Sequence, residues 1–145
     1  MARSIDKPKP SRINRSATPL TATDVSLYCR DLDGWPRSWM GLEKDLPPAE
    51  QLLAHLRPFI EHLASSSLSP KTIRRHVDNL WLLGGEIIRD LHYDPALRKR
   101  APEWLLRSVI HEDGGPLLHN GSDEEQRSFD STCRKLHRFL SQLQT

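Results

Sequence analysis

Three basic side chains stand together in the first turns of a predicted helix: Lys71, Arg74 and Arg75. Cations are normally disfavoured at a helix N-terminus, because the dipole there is positive and N–H groups are free. A phosphate group would compensate, since it accepts hydrogen bonds from the backbone and from the side chains. The alternative is a solvated helix face on which Arg74 pairs with Asp78 at i, i+4. The sequence leaves both interpretations open.

Signatures of enzymatic chemistry do not occur in the sequence. No G-x-S-x-G nucleophile motif and no phosphate-cradling loop of the G-x-x-x-x-G-K-[ST] or G-x-G-x-x-G type can be written from it. The two cysteines, Cys29 and Cys133, are far apart, and the seven histidines form no H-E-x-x-H pair. We interpret the histidines as residues of polar or boundary positions. We therefore expect no metal, no cofactor and no enzymatic activity.

The formal net charge of +2 hides an uneven distribution of charge along the 145 residues. Residues 1–22 contain five basic groups, three prolines and the single acid Asp6, which predicts a flexible basic arm. Such an arm either follows a phosphate backbone or groove, or only increases solubility. The remaining chain carries two more acidic than basic groups. The arm residues that we predict to contact DNA are Lys7, Lys9, Arg12 and Arg15. The fifth basic residue of the arm is Arg3, which contributes to its charge.

Residues 23–46 contain too many large apolar side chains for a linker. We expect a structured lead-in packed on a helical body, with the rings of Trp35 and Trp39 as anchors. Residues 25–29 are also compatible with a short β-strand, although no partner strand is evident. The longest uninterrupted apolar run, Leu80 to Leu83, is far too short to span a membrane, and no signal peptide is evident. These features favour a cytoplasmic protein.

Residues 47–143 show the periodicity of an all-α domain with four helices. The first contains Pro58, which predicts a kink or a break near Ala54. The second has the clearest start, with Ser69 as N-cap and Pro70 at the first helical position. It also carries the widest apolar stripe and is expected to be the central helix.

Two glycines, Gly84 and Gly85, interrupt the second helix at a cost of about 1 kcal/mol each relative to alanine. We favour close packing of another helix over a bend, because the apolar pattern keeps its phase across them.

The third helix is expected to begin at Pro102, and the fourth at the capping box Ser122-x-x-Glu125. Two further groups of basic residues lie outside the second helix. The first is the cluster Arg98, Lys99 and Arg100, and the second is a stripe on the polar face of the fourth helix, formed by Arg127, Arg134 and Arg138.

Residues 56–91 resemble the N-terminal core-binding, SAM-like domain of tyrosine recombinases and phage integrases. That domain has an F-x-x-x-L pattern, then L-S-x-x-T, leading into a helix of the form T-x-x-x-Y-x-x-x-L. The matching residues here are Phe59, Leu63, Leu68, Ser69, Thr72, His76 and Leu80. His76 replaces the usual aromatic residue, a mild change at a boundary position.

The resemblance implies a four-helix domain that clamps double-stranded DNA with its second helix. Carried over by position, the contacts would come from Lys71, Thr72, Arg74 and Arg75. The catalytic part of such recombinases needs an H-x-x-R pair and a tyrosine nucleophile, and no H-x-x-R occurs here. The expected protein is thus a non-catalytic DNA-binding module, an accessory or remnant of a mobile element, with a recombinase or another protein as a further partner. The alternative is a helical protein–protein adaptor that has lost DNA binding, which the acidic body and four tryptophans favour; an unrecognised small enzyme is the least favoured hypothesis.

Overall fold

The computed structural model describes residues 25–143, which form a body of helices with no β-strand among them. The α-helices of this region are α1 (Trp35–Trp39), α2 (Leu46–Ala64), α3 (Pro70–Tyr93), α4 (Pro102–Val109) and α5 (Asp123–Leu143). Short 3-10 helices cover Leu32–Gly34, Glu43–Asp45 and Pro95–Lys99. The prediction of an all-α fold is confirmed. Helix α1 lies in the lead-in, ahead of the region in which helices were predicted.

Helix α3 is the centre of the fold, as its apolar stripe predicts, and it contacts all four other α-helices. Its inward face is fully buried at Leu80, Leu83 and Ile87. Trp81 falls within the apolar stripe predicted for this helix, but 40% of the residue remains exposed. Its indole N–H donates a hydrogen bond to Ser38 Oγ at 2.9 Å instead of entering the core.

Helix α2 runs without interruption through Pro58, so of the kink or break expected near Ala54 the break is wrong. Pro58 lies on the exposed side of the helix, whereas Leu56 and Phe59 beside it are fully buried. Packing of this apolar face stabilises the helix and outweighs the loss of one backbone donor.

The short strand considered for residues 25–29 is also wrong. Val25 is buried, and its carbonyl accepts hydrogen bonds from the N–H groups of Tyr28 and Cys29 at 2.9 and 3.0 Å. These local bonds close a turn, so the segment has no need of a partner strand.

The lead-in is anchored by its tryptophans. Trp35 and Trp39 are buried, and the Trp39 indole N–H donates to the carbonyl of Trp81 at 2.9 Å. A Cβ atom at Gly84 would overlap the Trp39 ring, so the glycine allows this approach. The interpretation of close packing is therefore confirmed, and α1 is the helix that passes here.

The three predicted helix starts are confirmed, and α4 begins at Pro102 as expected. Ser69 Oγ accepts the N–H of Thr72 at 3.2 Å at the start of α3. At the start of α5, Glu125 N–H donates to Ser122 Oγ at 3.1 Å and Ser122 N–H donates to Glu125 Oε1 at 2.8 Å, which completes a capping box.

Candidate nucleic-acid interface

The first turn of α3 contains no acidic residue, so no carboxylate there compensates the positive end of the helix dipole. Lys71 is exposed beside Pro70, and Thr72 is half-buried. The Thr72 hydroxyl accepts a hydrogen bond from Ser69 Oγ at 2.9 Å, so Thr72 acts in the cap. Of the residues that the sequence places here as DNA contacts, Thr72 is thus already engaged within the protein.

The two arginines of the cluster are exposed and are held in place by neutral neighbours. The Arg74 guanidinium lies 5.7 Å from the centre of the Tyr28 ring, and Arg75 Nη1 donates to Ser128 Oγ at 2.9 Å. Within residues 25–143, no ion pair is formed by Lys71, Arg74 or Arg75. The pair between Arg74 and Asp78 that the spacing allows is therefore not formed. The structure brings Lys71, Arg74 and Arg75 together around one open depression, with Thr72, Asp78 and Asn79 as its other lining residues.

A buried polar network lies directly behind this cluster and joins α3 to α5. His76 Nδ1 and Thr132 Oγ1 are hydrogen-bonded at 2.7 Å, and Asn79 Nδ2 donates to Thr132 Oγ1 at 2.9 Å and to Ser128 Oγ at 3.1 Å. His76, Asn79 and Thr132 are all buried. Because Ser128 Oγ receives both Asn79 and Arg75, the network fixes the position of the exposed guanidinium.

His76 is therefore a core residue, and its placement at a boundary position is wrong. The apolar pattern did not reveal this, because the partner Thr132 is 56 residues away in sequence. Burial, with smaller contributions from the charges of Arg75 and Lys135, lowers the pKa of His76 to about 4. The ring is consequently neutral at physiological pH and adds no charge to the surface.

Helix α5 adds basic residues that the sequence grouped differently. Lys135 and Arg138 line a depression with Phe59, His62 and Ser66, just before the turn that leads into α3. Of the stripe of Arg127, Arg134 and Arg138, Arg134 donates to the carbonyl of Asp113 at 3.4 Å and is engaged within the protein. Lys135 was missed, although it lies at i+7 from Ser128 and i+3 from Thr132 and shares their face of α5.

The second predicted basic cluster has a different environment. Arg98 Nη2 donates to the buried carboxylate of Asp45 at 2.7 Å, and the Arg100 guanidinium lies 4.3 Å from the centre of the Trp104 ring. Lys99 is exposed. Arg98 is therefore occupied as a structural ion pair, which corrects its assignment as a free DNA contact.

The two basic clusters lie at opposite ends of α3. Twenty residues separate Lys71 from Leu91, which borders the second cluster, and at 1.5 Å per residue this corresponds to about 30 Å. The predicted contacts thus fall on two surfaces. The arm residues Lys7, Lys9, Arg12 and Arg15 lie outside the described residues.

No family model, curated protein or solved structure matches the chain.

Burial disfavours the thiolate form of both cysteines. Burial first, then the nearby charge of Asp130, raises the pKa of Cys133 to about 12, and burial also raises the pKa of Cys29. His92 Nε2 lies 2.7 Å from Asp45 Oδ2, but no hydroxyl or thiol within residues 25–143 is hydrogen-bonded to this ring. The same residues contain no group of three His, Cys, Asp or Glu side chains placed to hold a metal ion. None of the described helices combines the length and apolar character that crossing a membrane requires.

Proposed function

We propose that this chain is a non-catalytic DNA-binding module, of the kind formed by the core-binding domain of tyrosine recombinases, and that it holds the phosphate backbone of duplex DNA at the start of α3. The observation that carries the proposal is the cluster of Lys71, Arg74 and Arg75, three exposed cations without an ion pair among the described residues. They surround a helix N-terminus whose N–H groups also favour an anion. Phosphate would engage both sets of donors at once.

The surroundings of the cluster support this function. Arg75 is fixed by Ser128, so less side-chain entropy is lost when its guanidinium binds a phosphate. Arg74 lies against the Tyr28 ring, which restrains it without neutralising its charge. Lys135 and Arg138 on α5 extend the basic surface towards the turn before α3.

A shift assay on random-sequence duplex DNA at low salt tests the proposal. Substitution of Lys71, Arg74 and Arg75 by alanine should weaken binding about a hundredfold, because each lost phosphate contact contributes roughly 1 kcal/mol. The matched control is Arg37→Ala/Lys44→Ala/Arg89→Ala, which removes three exposed cations and the same net charge from other parts of the surface. Equal losses for the two variants, or no binding by the unmodified protein, would overturn the proposal.

Trp81 and Trp104 favour the second candidate, a protein–protein adaptor, since they remain 40% and 42% exposed on the surface. Large aromatic side chains at a surface are the usual anchors of protein interfaces. If the unmodified protein fails to bind duplex DNA even at low salt, this second function becomes the better explanation of the fold.

A further inference from the structure

A second groove lies at the far end of α3, between the 3-10 helix Pro95–Lys99, the start of α4 and the beginning of α2. Its volume is about 430 Å³. The lining residues are Lys44, Pro48, Gln51, Leu91, Arg98, Lys99, Arg100, Ala101, Pro102 and Leu105. Four of these are basic and none is acidic. Because Arg98 is already paired with Asp45, the cations that can meet an anion here are Lys44, Lys99 and Arg100.

The walls of the groove are fixed by contacts within the protein. Arg98 is held by the fully buried Asp45 at 2.7 Å, and Asp45 in turn accepts the N–H groups of Gly41 and Leu42 at 2.8 and 2.9 Å. The Arg100 guanidinium lies over the Trp104 ring, 4.3 Å from its centre, a contact that restrains it without neutralising its charge. Such a prearranged site loses little entropy when it binds.

The chemistry of the floor distinguishes between the possible anions. Leu91, Leu105 and Pro102 contribute apolar atoms to the base of the groove, with the half-buried Pro48 at its side. A phosphate backbone gains nothing from apolar atoms, whereas a peptide can place an apolar side chain there and its carboxylates at the rim. At the rim, Lys44 and Lys99 are exposed and form no ion pair within residues 25–143.

From the apolar floor and the basic rim we infer that this groove binds an acidic peptide segment of a partner protein, with carboxylates at Lys44, Lys99 and Arg100 and an apolar side chain between Leu91 and Leu105. The site is about 30 Å from the start of α3 and does not depend on the proposed DNA contacts. The chain would then join a nucleic acid at one end of α3 to a protein at the other.

The test uses the full chain and a fluorescein-labelled peptide of alternating Glu and Leu residues, measured by fluorescence anisotropy. Lys44→Glu/Lys99→Glu should weaken peptide binding at least about tenfold, because carboxylates would then face carboxylates. Lys71→Glu/Arg74→Glu is the matched control and should leave peptide affinity unchanged. A peptide with Gln for Glu, and one with Ser for Leu, should each bind more weakly than the parent peptide.

Three outcomes would overturn the inference. The first is no peptide binding by the unmodified chain, and the second is equal binding by the two charge-reversed variants. The third is a loss of duplex DNA affinity in Lys44→Glu/Lys99→Glu as large as in Lys71→Glu/Arg74→Glu, which would assign the groove to nucleic acid. Failure of the DNA proposal alone leaves the peptide result unchanged, so the two proposals fail separately.

Discussion

The two ends of α3 each hold a cluster of basic residues, and the fold treats them in opposite ways. At the C-terminal end, Arg98 and His92 converge on Asp45, whose side chain is completely buried. At the N-terminal end, no carboxylate among the described residues forms an ion pair with Lys71, Arg74 or Arg75. The buried carboxylate makes Arg98 part of the architecture, whereas the three cations at the start of α3 have no such partner within residues 25–143 and can meet an external anion.

The largest expected effect is on stability, from removal of the buried carboxylate. Asp45→Ala should destabilise the fold by about 3 kcal/mol or more, because it leaves the Arg98 charge and two backbone N–H groups without their partner. Urea denaturation measures this loss. Lys71→Ala serves as the comparison from the other cluster and should change stability by less than about 0.5 kcal/mol. Similar values for the two variants would erase the distinction between the clusters.

We also expect the fold to lose stability in acid, when the Asp45 carboxylate becomes protonated. Burial alone would raise its pKa, but hydrogen bonds from the Leu42 N–H, Arg98, the Gly41 N–H and His92 outweigh burial and hold the pKa well below its ordinary value. The folded state therefore binds this proton less readily than the unfolded chain. The contribution is present above the ordinary carboxyl pKa near 3.8 and is lost as the pH falls below it.

His76, behind the exposed cluster, should produce an earlier acid transition. Its pKa is about 4 in the folded protein against 6.5 ordinarily, so the unfolded chain takes up the proton first. Stability should fall by about 3 kcal/mol as the pH drops from 6.5 to 4. His76→Gln should remove this dependence in chemical denaturation measured across that range.

His55→Gln is the control for this pH experiment and should retain the dependence of the unmodified protein, because His55 has no part in the buried network. If His76→Gln keeps the same slope of stability between pH 6.5 and 4, the buried histidine is not its origin. The transition would then belong to another group.

A smaller effect is expected when Arg75 loses the residue that positions it. Ser128→Ala removes the hydroxyl that accepts the Arg75 guanidinium and should weaken DNA binding about threefold to fivefold, less than Arg75→Ala. Ser131→Ala, on the same helix, should bind DNA as the unmodified protein does. A Ser128→Ala protein with full affinity would show that Arg75 needs no fixed position.

The smallest expected effect concerns Arg74 and the ring beneath it. Tyr28→Leu should lower stability or DNA affinity by less than about 1 kcal/mol, the usual range for an exposed cation–π contact. Tyr28→Phe keeps the ring and should have no effect. A loss above tenfold in DNA affinity for Tyr28→Leu would mean that the tyrosine itself contacts the nucleic acid.

The comparison also shows which features can be predicted from sequence. Helix starts depend on residues three or four positions apart, so Ser69 with Thr72 and Ser122 with Glu125 were predictable. The close approach at Gly84 was predictable as well, because glycine in a buried stripe needs a packing reason.

Contacts between distant parts of the chain were not predictable in the same way. Asp45 meets His92 and Arg98 across 47 and 53 residues, and nothing in the local pattern around Arg98 indicates that a buried carboxylate will neutralise it. His76 was taken as a boundary residue for the same reason, since only the fold brings Thr132 to it. The basic residues can be read from the sequence, but the tertiary structure decides which of them form ion pairs within the protein.

The most direct test of the proposed DNA-binding surface is the dependence of the duplex DNA association constant on salt. The logarithm of this constant should fall linearly with the logarithm of salt concentration, and Lys71→Ala/Arg74→Ala/Arg75→Ala should lower the slope by roughly three, about one for each phosphate contact removed. Arg37→Ala/Lys44→Ala/Arg89→Ala should keep the slope of the unmodified protein. Slopes that are unchanged in the first variant, or reduced equally in both, would contradict a DNA-binding surface at the start of α3.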